Sequence, residues 1–264
     1  MTVCRRLLPL VPFQGRLKFK QYIANKRHKF GIKLFKLCLE GGYTYDFNVY
    51  CGKEHAEGSS VPTNVVMKLM DGLLDKGRTL AIDNYYTSVT LAHALLHRKT
   101  HMIGTLRANR KYNPKNDISK KFKVGEHVAE QSNSGIVVQK WRDKRDVLMI
   151  TTKFDDEMVT IQKARGDVVK PNNVIEYNKY KSFIEISDQM KNYNSPLRKG
   201  IKWYRKLSME LLTGTALINA HVAYQSIANE SMTITKLSDV GRASRRRCTA
   251  CYAKIAEEEG RQVK

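Results

Sequence analysis

The run Thr79-Leu80-Ala81-Ile82-Asp83 constrains the fold more than any other stretch of the chain. It is short, apolar, ends on an acid, and lies between two segments with helical periodicity. Such a run reads as a strand buried on both faces, the mark of a layered α/β sheet. Before it, Val65, Val66, Leu69, Leu73 and Leu74 recur at helical spacing behind Pro62. After it, Ser88 can cap a helix carrying Leu91, Ala94 and Leu95. That helix closes on His97-Arg98-Lys99, positive charge that suits its C-terminal end. Met102 to Leu106 reads as the next strand.

The first fifty residues extend the same sheet. Gly31 to Cys38 alternates apolar and basic residues, the period of a half-buried strand, and Tyr43 to Tyr50 alternates again after the turn Gly41-Gly42, so the two form a hairpin. Arg5-Arg6 followed by Leu7 to Phe13 reads as a strand entering the core or, alternatively, as a short presequence; two prolines and no small-residue cleavage site favour the strand. A polar loop runs from Gly52 to Ser60. Residues 107–123 are basic and polar, and strands are expected at Gly135–Trp141 and Val147–Thr152. Lys153–Asn173 reads as loop, Tyr177–Tyr193 as helix, and Leu207–Ile227 as the longest apolar helix. From Ser238 the chain is rich in Arg and Glu. The whole is a mixed α/β fold.

Charge narrows the partner. Lys and Arg number 47 against 25 Asp and Glu, a net charge of +22. Self-repulsion of that size favours a polyanionic partner, and phosphates of nucleic acid supply most non-specific affinity of this kind. No apolar run approaches the roughly 20 residues that span a bilayer, so no membrane partner is expected. Five cysteines, Cys4, Cys38, Cys51, Cys248 and Cys251, are odd in number and scattered, which argues against a disulfide framework and for a reducing compartment, nucleus or cytoplasm. Cys38 and Cys51 read as reduced core residues.

Two groups of acids could carry chemistry. Asp83, at the carboxyl end of a buried strand, sits where α/β sheets place ligands, or it is a turn residue leading to the Ser88 cap. Glu185 and Asp188, three residues apart on a helix, share a face and with Asp83 could hold Mg²⁺, or they form a solvated acidic face.

Several blocks carry a resemblance. Asp83-Asn84-Tyr85-Tyr86-Thr87-Ser88, then Leu91 and Leu95-Leu96, then Gly104-Thr105-Leu106-Arg107-Ala108-Asn109-Arg110 resemble the segment around the second catalytic aspartate of the piggyBac transposase family. Pro12-Phe13-Gln14-Gly15-Arg16, Tyr22 to Lys26 and Gly31-Ile32-Lys33 resemble its opening block. Lys140 to Val147, Tyr177 to Tyr180, Ser187-Asp188-Gln189-Met190, Leu197-Arg198-Lys199, Lys202-Trp203 and Asn219-Ala220 continue the match in order, covering Leu7 to about Cys251.

The resemblance implies an RNase H-like (DDE transposase-type) mixed sheet that cuts DNA with carboxylates binding two metal ions. It makes Asp83 the second acid, puts Glu185 at the third-aspartate position with Asp188 nearby, and places the first position, counted back from Pro12-Phe13, at Leu7, followed by Leu8. Residues 1–39 contain no carboxylate. An alkyl side chain cannot bind Mg²⁺, so the catalytic set is expected to be degenerate, with Mg²⁺ the cofactor only if the chain is active. Arg245-Arg246-Arg247-Cys248-Thr249-Ala250-Cys251 resembles the start of the family's cysteine-rich zinc module. With no Cys or His after Cys251, that zinc site is expected to be incomplete.

The expected organisation is an RNase H-like core over 1–107, an insertion segment over 108–171, core helices over 172–230, and a basic tail with the cysteine pair over 231–264. The expected function is DNA binding in the nucleus by a transposase-derived protein. Phosphate contacts would come from Arg16, Lys18, Lys20, Lys26, Arg27 and Lys29, and from Arg107, Arg110 and Lys111 beside Asp83. A homodimer stays open, as do two alternatives: an active metal-dependent transposase or nuclease, and a non-catalytic interaction protein that retains only the fold.

Overall fold

In the computed structural model the run around Ala81 forms β6 (Thr79–Ile82), with all four residues buried. Alternation explains how: Leu80 and Ile82 join one apolar cluster and Ala81 another, on the opposite face of the sheet. The structure describes residues 2–5, 7–24, 26, 28–52, 61–162, 167–193, 197 and 200–228. The chain divides into Met1–Ala223 and Tyr224–Lys264, the second described only over the end of its leading helix.

Strands β1 (Thr2–Arg5) and β7 (His101–Thr105) flank β6, both parallel to it. Parallel neighbours need crossovers. Helix α1 (Val61–Leu69) precedes β6, and α2 (Val89–His97) joins β6 to β7. The Ser88 hydroxyl caps α2 as expected, accepting the Leu91 N–H at 3.1 Å. On the far side of β1 lies the antiparallel β4 (Phe30–Cys38), paired with β5 (Thr44–Val49) through a 3₁₀ turn at Glu40–Gly42. The chain of β1 continues as β2 (Leu7–Pro12) along β4, and the short β3 (Gln21–Tyr22) pairs with the start of β4. The central order β5-β4-β1-β6-β7, antiparallel then parallel, is that of an RNase H-like sheet.

Beyond β7 the same sheet runs on through three antiparallel strands: β8 (His127–Gln131), β9 (Val137–Arg142) and β10 (Asp146–Thr151), with β10 against β7. A five-residue helix, α3 (Lys115–Ser119), precedes them. The stretch expected as loop instead contains a hairpin, β11 (Met158–Ile161) with β12 (Val168–Pro171), and helix α4 (Asn172–Tyr193) starts five residues before Tyr177. Loop-like composition misled here because this small hairpin stands apart from the main sheet and shows little alternation.

One face of the sheet is covered by α1 and α2, whose Val66, Leu69, Leu91 and Leu95 pack on Leu37, Leu80, Ile82 and Ile150. The other is crossed by α4, whose Val174, Tyr177, Tyr180 and Phe183 pack on Ala81, Ile103, Trp141 and Met149. Its farther part reaches the 3₁₀ turn. Gly42, at φ 88°, lies there, and a Cβ on it would come within 3.1 Å of Phe183 O and Ser187 N. The expected helix Leu207–Ile227 is part of a longer helical stretch: α5 (Trp203–Met209), a π-helical segment Glu210–Ala216, then α6 (Leu217–Ala228). At 22 residues, α4 is longer than either. Among the described residues no helix is long and apolar enough to cross a membrane.

Two buried-face expectations change. Strand β4 is buried from Gly31 to Cys38, lysines included, because both faces of this strand are covered. Cys51 is exposed, since β5 stops at Val49; Cys38 is buried as expected.

Candidate nucleic-acid and carboxylate site

Asp83 follows the last residue of β6 and builds the turn into α2. Its Oδ1 accepts the Tyr85 N–H at 3.0 Å, and its carbonyl accepts Tyr86 and Thr87 N–H at 3.2 Å. This is the turn role, and it also fixes the carboxylate at the strand end. The turn is pressed against β7: Thr87 Oγ1 donates to Thr105 O, and a Cβ on Gly104 would lie 2.3 Å from Ile82 O and 2.6 Å from Thr87 Cγ2. Only glycine permits that approach.

Two arginines bind the same turn. Arg107 Nε donates to Asn84 Oδ1 at 3.4 Å and its guanidinium lies 5.8 Å from the Tyr85 ring centroid. Arg110 donates to Asn84 O and Tyr85 O. Burial and the neighbouring Arg107 lower its pKa from the ordinary arginine value. Asn113 Nδ2 closes the loop on Arg107 O at 2.9 Å. Arg107 and Lys111 are exposed, while Arg110 is partly used in holding the loop.

On α4 the two acids part company. Glu185 is exposed, whereas Asp188 retains 28% side-chain exposure and turns toward β4. Asp188 Oδ1 lies 3.5 Å from Lys191 Nζ, and Lys191 Nζ lies 2.6 Å from Glu210 Oε1 at the start of the π segment. Lys36, at 0% exposure, donates to Thr215 Oγ1 at 3.1 Å in the same place. Burial, then Lys191, lowers the Lys36 pKa. For Lys191 burial pulls downward, but Asp188 and Glu210 together raise it above the ordinary lysine value.

Sheet register relates this cluster to Asp83. Cys38, Cys4 and Ala81 form one row across β4, β1 and β6. Lys36 lies two residues before Cys38 on β4, and Asp83 two residues after Ala81, one past the end of β6. Leu7 lies in β2, its backbone paired with Phe35. Among the described residues no three His, Cys, Asp or Glu side chains gather as a metal site would need.

The basic residues before β4 form an exposed surface: Arg16, Lys18, Lys26 and Lys29. Lys20 differs, donating to Gln14 O at 3.3 Å and Gly15 O at 3.2 Å while its Nζ sits 5.5 Å from the Phe30 ring centroid. Phe30 pairs with Tyr22 at 4.9 Å, and both rings are open to solvent, at 43% and 58%. Arg27, Cys248 and Cys251 lie outside the described residues.

Residues 8–221 match the family model described as Transposase IS4. Human PiggyBac transposable element-derived protein 3 is 26% identical over 219 residues, 74% of this chain and 36% of that protein. The solved piggyBac transposase synaptic complex with hairpin DNA superposes with a TM-score of 0.77 at 25% identity, over 88% of this chain and 49% of that one. The chain belongs to the piggyBac family of transposases. The human Chimeric ERCC6-PGBD3 protein is similar over the same length, 26% identical, with 20% of it covered. The chain thus spans about a third or less of these human relatives and about half of the transposase.

For this piggyBac-family chain, sequence reasoning missed Lys36, Lys191 and Glu210, and the pair Tyr22 and Phe30. One signal was available. Ile32, Leu34, Lys36 and Cys38 share parity on a strand, so Lys36 falls on the apolar face while Lys33 falls on the other. Lys33 is buried too, its Nζ 4.9 to 5.2 Å from the centroids of Phe35, Tyr85 and Tyr50. Lys191 and Glu210 meet across separate helices, and no spacing in the sequence announces that.

Proposed function

We propose that this chain is a piggyBac transposase-derived DNA-binding protein whose carboxylate set does not support DNA cleavage. The observation that carries the reading is the 3.5 Å ion pair of Asp188 with Lys191, a lysine only 11% exposed. The absence of any carboxylate in residues 1–39, from which β1, β2 and β4 are built, supports it. Divalent ions held by carboxylates in this family activate the attacking hydroxyl and stabilise the leaving oxygen when bound. The residues here fit such ions poorly, because Asp188 Oδ1 faces the Lys191 ammonium at 3.5 Å and the strand beside β6 offers no carboxylate.

DNA binding is supported by charge and placement. Arg107, bound to Asn84 in the Asp83 turn, and Lys111 are exposed, as are Arg16, Lys18, Lys26 and Lys29 and the rings of Tyr22 and Phe30. Phosphates would meet the cations, and an unpaired base could stack on the rings. The solved relative holds hairpin DNA, which favours the same partner for this chain. A nuclear location follows from that partner.

Two measurements test the reading. Duplex DNA affinity is expected to fall linearly with salt on a log–log scale, and no binding at low salt would leave only the interaction-protein alternative. Cleavage of a transposon-end duplex in Mg²⁺ or Mn²⁺ is expected to be absent. Cutting that disappears in Asp83→Ala would establish the active-enzyme alternative instead.

A further inference from the structure

We infer that Tyr112 is a stacking platform for an unpaired base of bound DNA, at the end of the sheet where Asp83 lies. The inference deepens the proposed DNA binding and rests on that reading.

Strands β6 and β7 are parallel, with Ile82 paired to Gly104, so the Asp83 turn and the loop after β7 leave the sheet at the same end. That is the end at which α/β sheets place ligands. The loop is tied to the turn by Arg107, which donates to Asn84 Oδ1, and by Arg110, which donates to Asn84 O and Tyr85 O. It closes on itself through the buried Asn113, whose Nδ2 donates to Arg107 O at 2.9 Å and to Ala108 O at 3.3 Å.

Tyr112 precedes Asn113 in this closed loop. Its backbone is left-handed, at φ 64°, and its ring is 77% exposed, more than any other aromatic ring among the described residues. A bulky side chain at positive φ is strained, and glycine would adopt the same backbone freely. Such strain persists where the surroundings over-determine it, as Asn113 and Arg110 do here, and it gathers at sites with a use for it. The ring buries too little in the free protein to offset the strain. Contact with a ligand supplies what packing does not.

The neighbours define the chemistry of that ligand. Residues 107–123 carry seven Lys or Arg and one acid, Asp117, which is buried and paired with Lys120. Arg107, Lys111 and Lys115, on either side of Tyr112 in sequence, are exposed. Cations flanking an open aromatic ring suit a polyanion that has π-faces: phosphates meet the cations and a base meets the ring. In an intact duplex both faces of each base are covered by its neighbours, so the partner of the ring is a base that has left the stack.

The test is fluorescence anisotropy of the full chain in EDTA with a blunt duplex and with the same duplex carrying a bulge of two unpaired adenines, one replaced by 2-aminopurine. The unmodified chain is expected to bind the bulged probe more tightly. Tyr112→Ala is expected to lose about tenfold on the bulged probe, with the blunt duplex and the salt slope unchanged. The 2-aminopurine should be dimmer in the complex of the unmodified chain than in that of Tyr112→Ala. Tyr112→Phe keeps the ring and should match the unmodified chain; a loss as large as that of Tyr112→Ala would assign the contact to the hydroxyl and overturn the inference. Tyr112→Gly should lose the same tenfold while its thermal midpoint rises, because the strain goes with the side chain. A midpoint that falls would show that the ring supports the fold and would count against the inference. Equal affinity of the unmodified chain and Tyr112→Ala for the bulged probe would overturn it, as would a loss confined to Tyr22→Ala or Phe30→Ala. Failure of the DNA-binding reading itself looks different: neither probe binds at low salt.

Discussion

Asp83 has two roles at once, and substitution separates them. As a turn residue it satisfies the Tyr85 N–H; as an acid it stands one residue past the end of β6, next to Asn84, which Arg107 binds. Asp83→Ala is expected to cost about 1 kcal/mol in urea unfolding, because that amide loses its acceptor, while Asp83→Asn keeps an oxygen there and should cost far less. Equal losses for both would show that charge, not the turn, holds the segment. The cysteines give a second residue-level test. Cys38 is buried with its thiol pKa pushed up to about 11, and Cys51 is exposed. Iodoacetamide at neutral pH followed by peptide mapping should find Cys51 alkylated and Cys38 protected until denaturant is added.

At the level of elements, the contact between β6 and β7 tolerates no side chain at Gly104. Its Cβ would meet a backbone carbonyl rather than a flexible tip, so Gly104→Ala is expected to cost about 3 kcal/mol in urea unfolding, the upper part of the overpacking range. A near-neutral result would mean the two strands can separate without loss. The β9–β10 hairpin carries a pH signature. The hydrogen bond from Arg142, with Lys140 adding to it, holds the Asp146 carboxyl below its ordinary value of 3.8. A lowered folded pKa means the stabilisation is present above about pH 4 and is lost as pH falls through the folded value. The carboxyl is 44% exposed, so solvent screening keeps the contribution to roughly 0.5 kcal/mol. Thermal midpoints of Asp146→Asn and the unmodified chain should therefore differ at pH 6 and converge as pH falls below 3.8.

For the whole molecule the dominant quantity is the net charge of +22. If Arg16, Lys18, Lys26 and Lys29 each engage a phosphate, replacing any one with Gln should lower the slope of log affinity against log salt by about 1, equally for unrelated duplexes. Unchanged slopes would move the DNA contact to another surface. Replacing Tyr22 or Phe30 with Ala should weaken single-stranded DNA by about 1–3 kcal/mol while leaving the salt slope alone, since stacking releases no counterions.

Local pattern alone determined the alternation of helix and strand around β6, the β4–β5 hairpin and the Ser88 cap. Each depends on periodicity or composition within a dozen residues. The ordered blocks from Pro12 to Asn219 pointed to the family and its RNase H-like sheet as well. The tertiary structure alone decided what became of the charged side chains. Lys36 looked like the outer residue of a half-buried strand until α4 and the π-helical segment covered its face. Asp188 looked like the twin of Glu185, three residues away, until packing turned one inward to Lys191 while the other stayed on the exposed surface. Spacing along a chain says which residues share an element's face. Whether a charge there meets water, a metal or an opposite charge depends on what distant segments bring to it, and in this chain Lys36 and Glu210 reach the same cluster from 174 residues apart, 210 − 36.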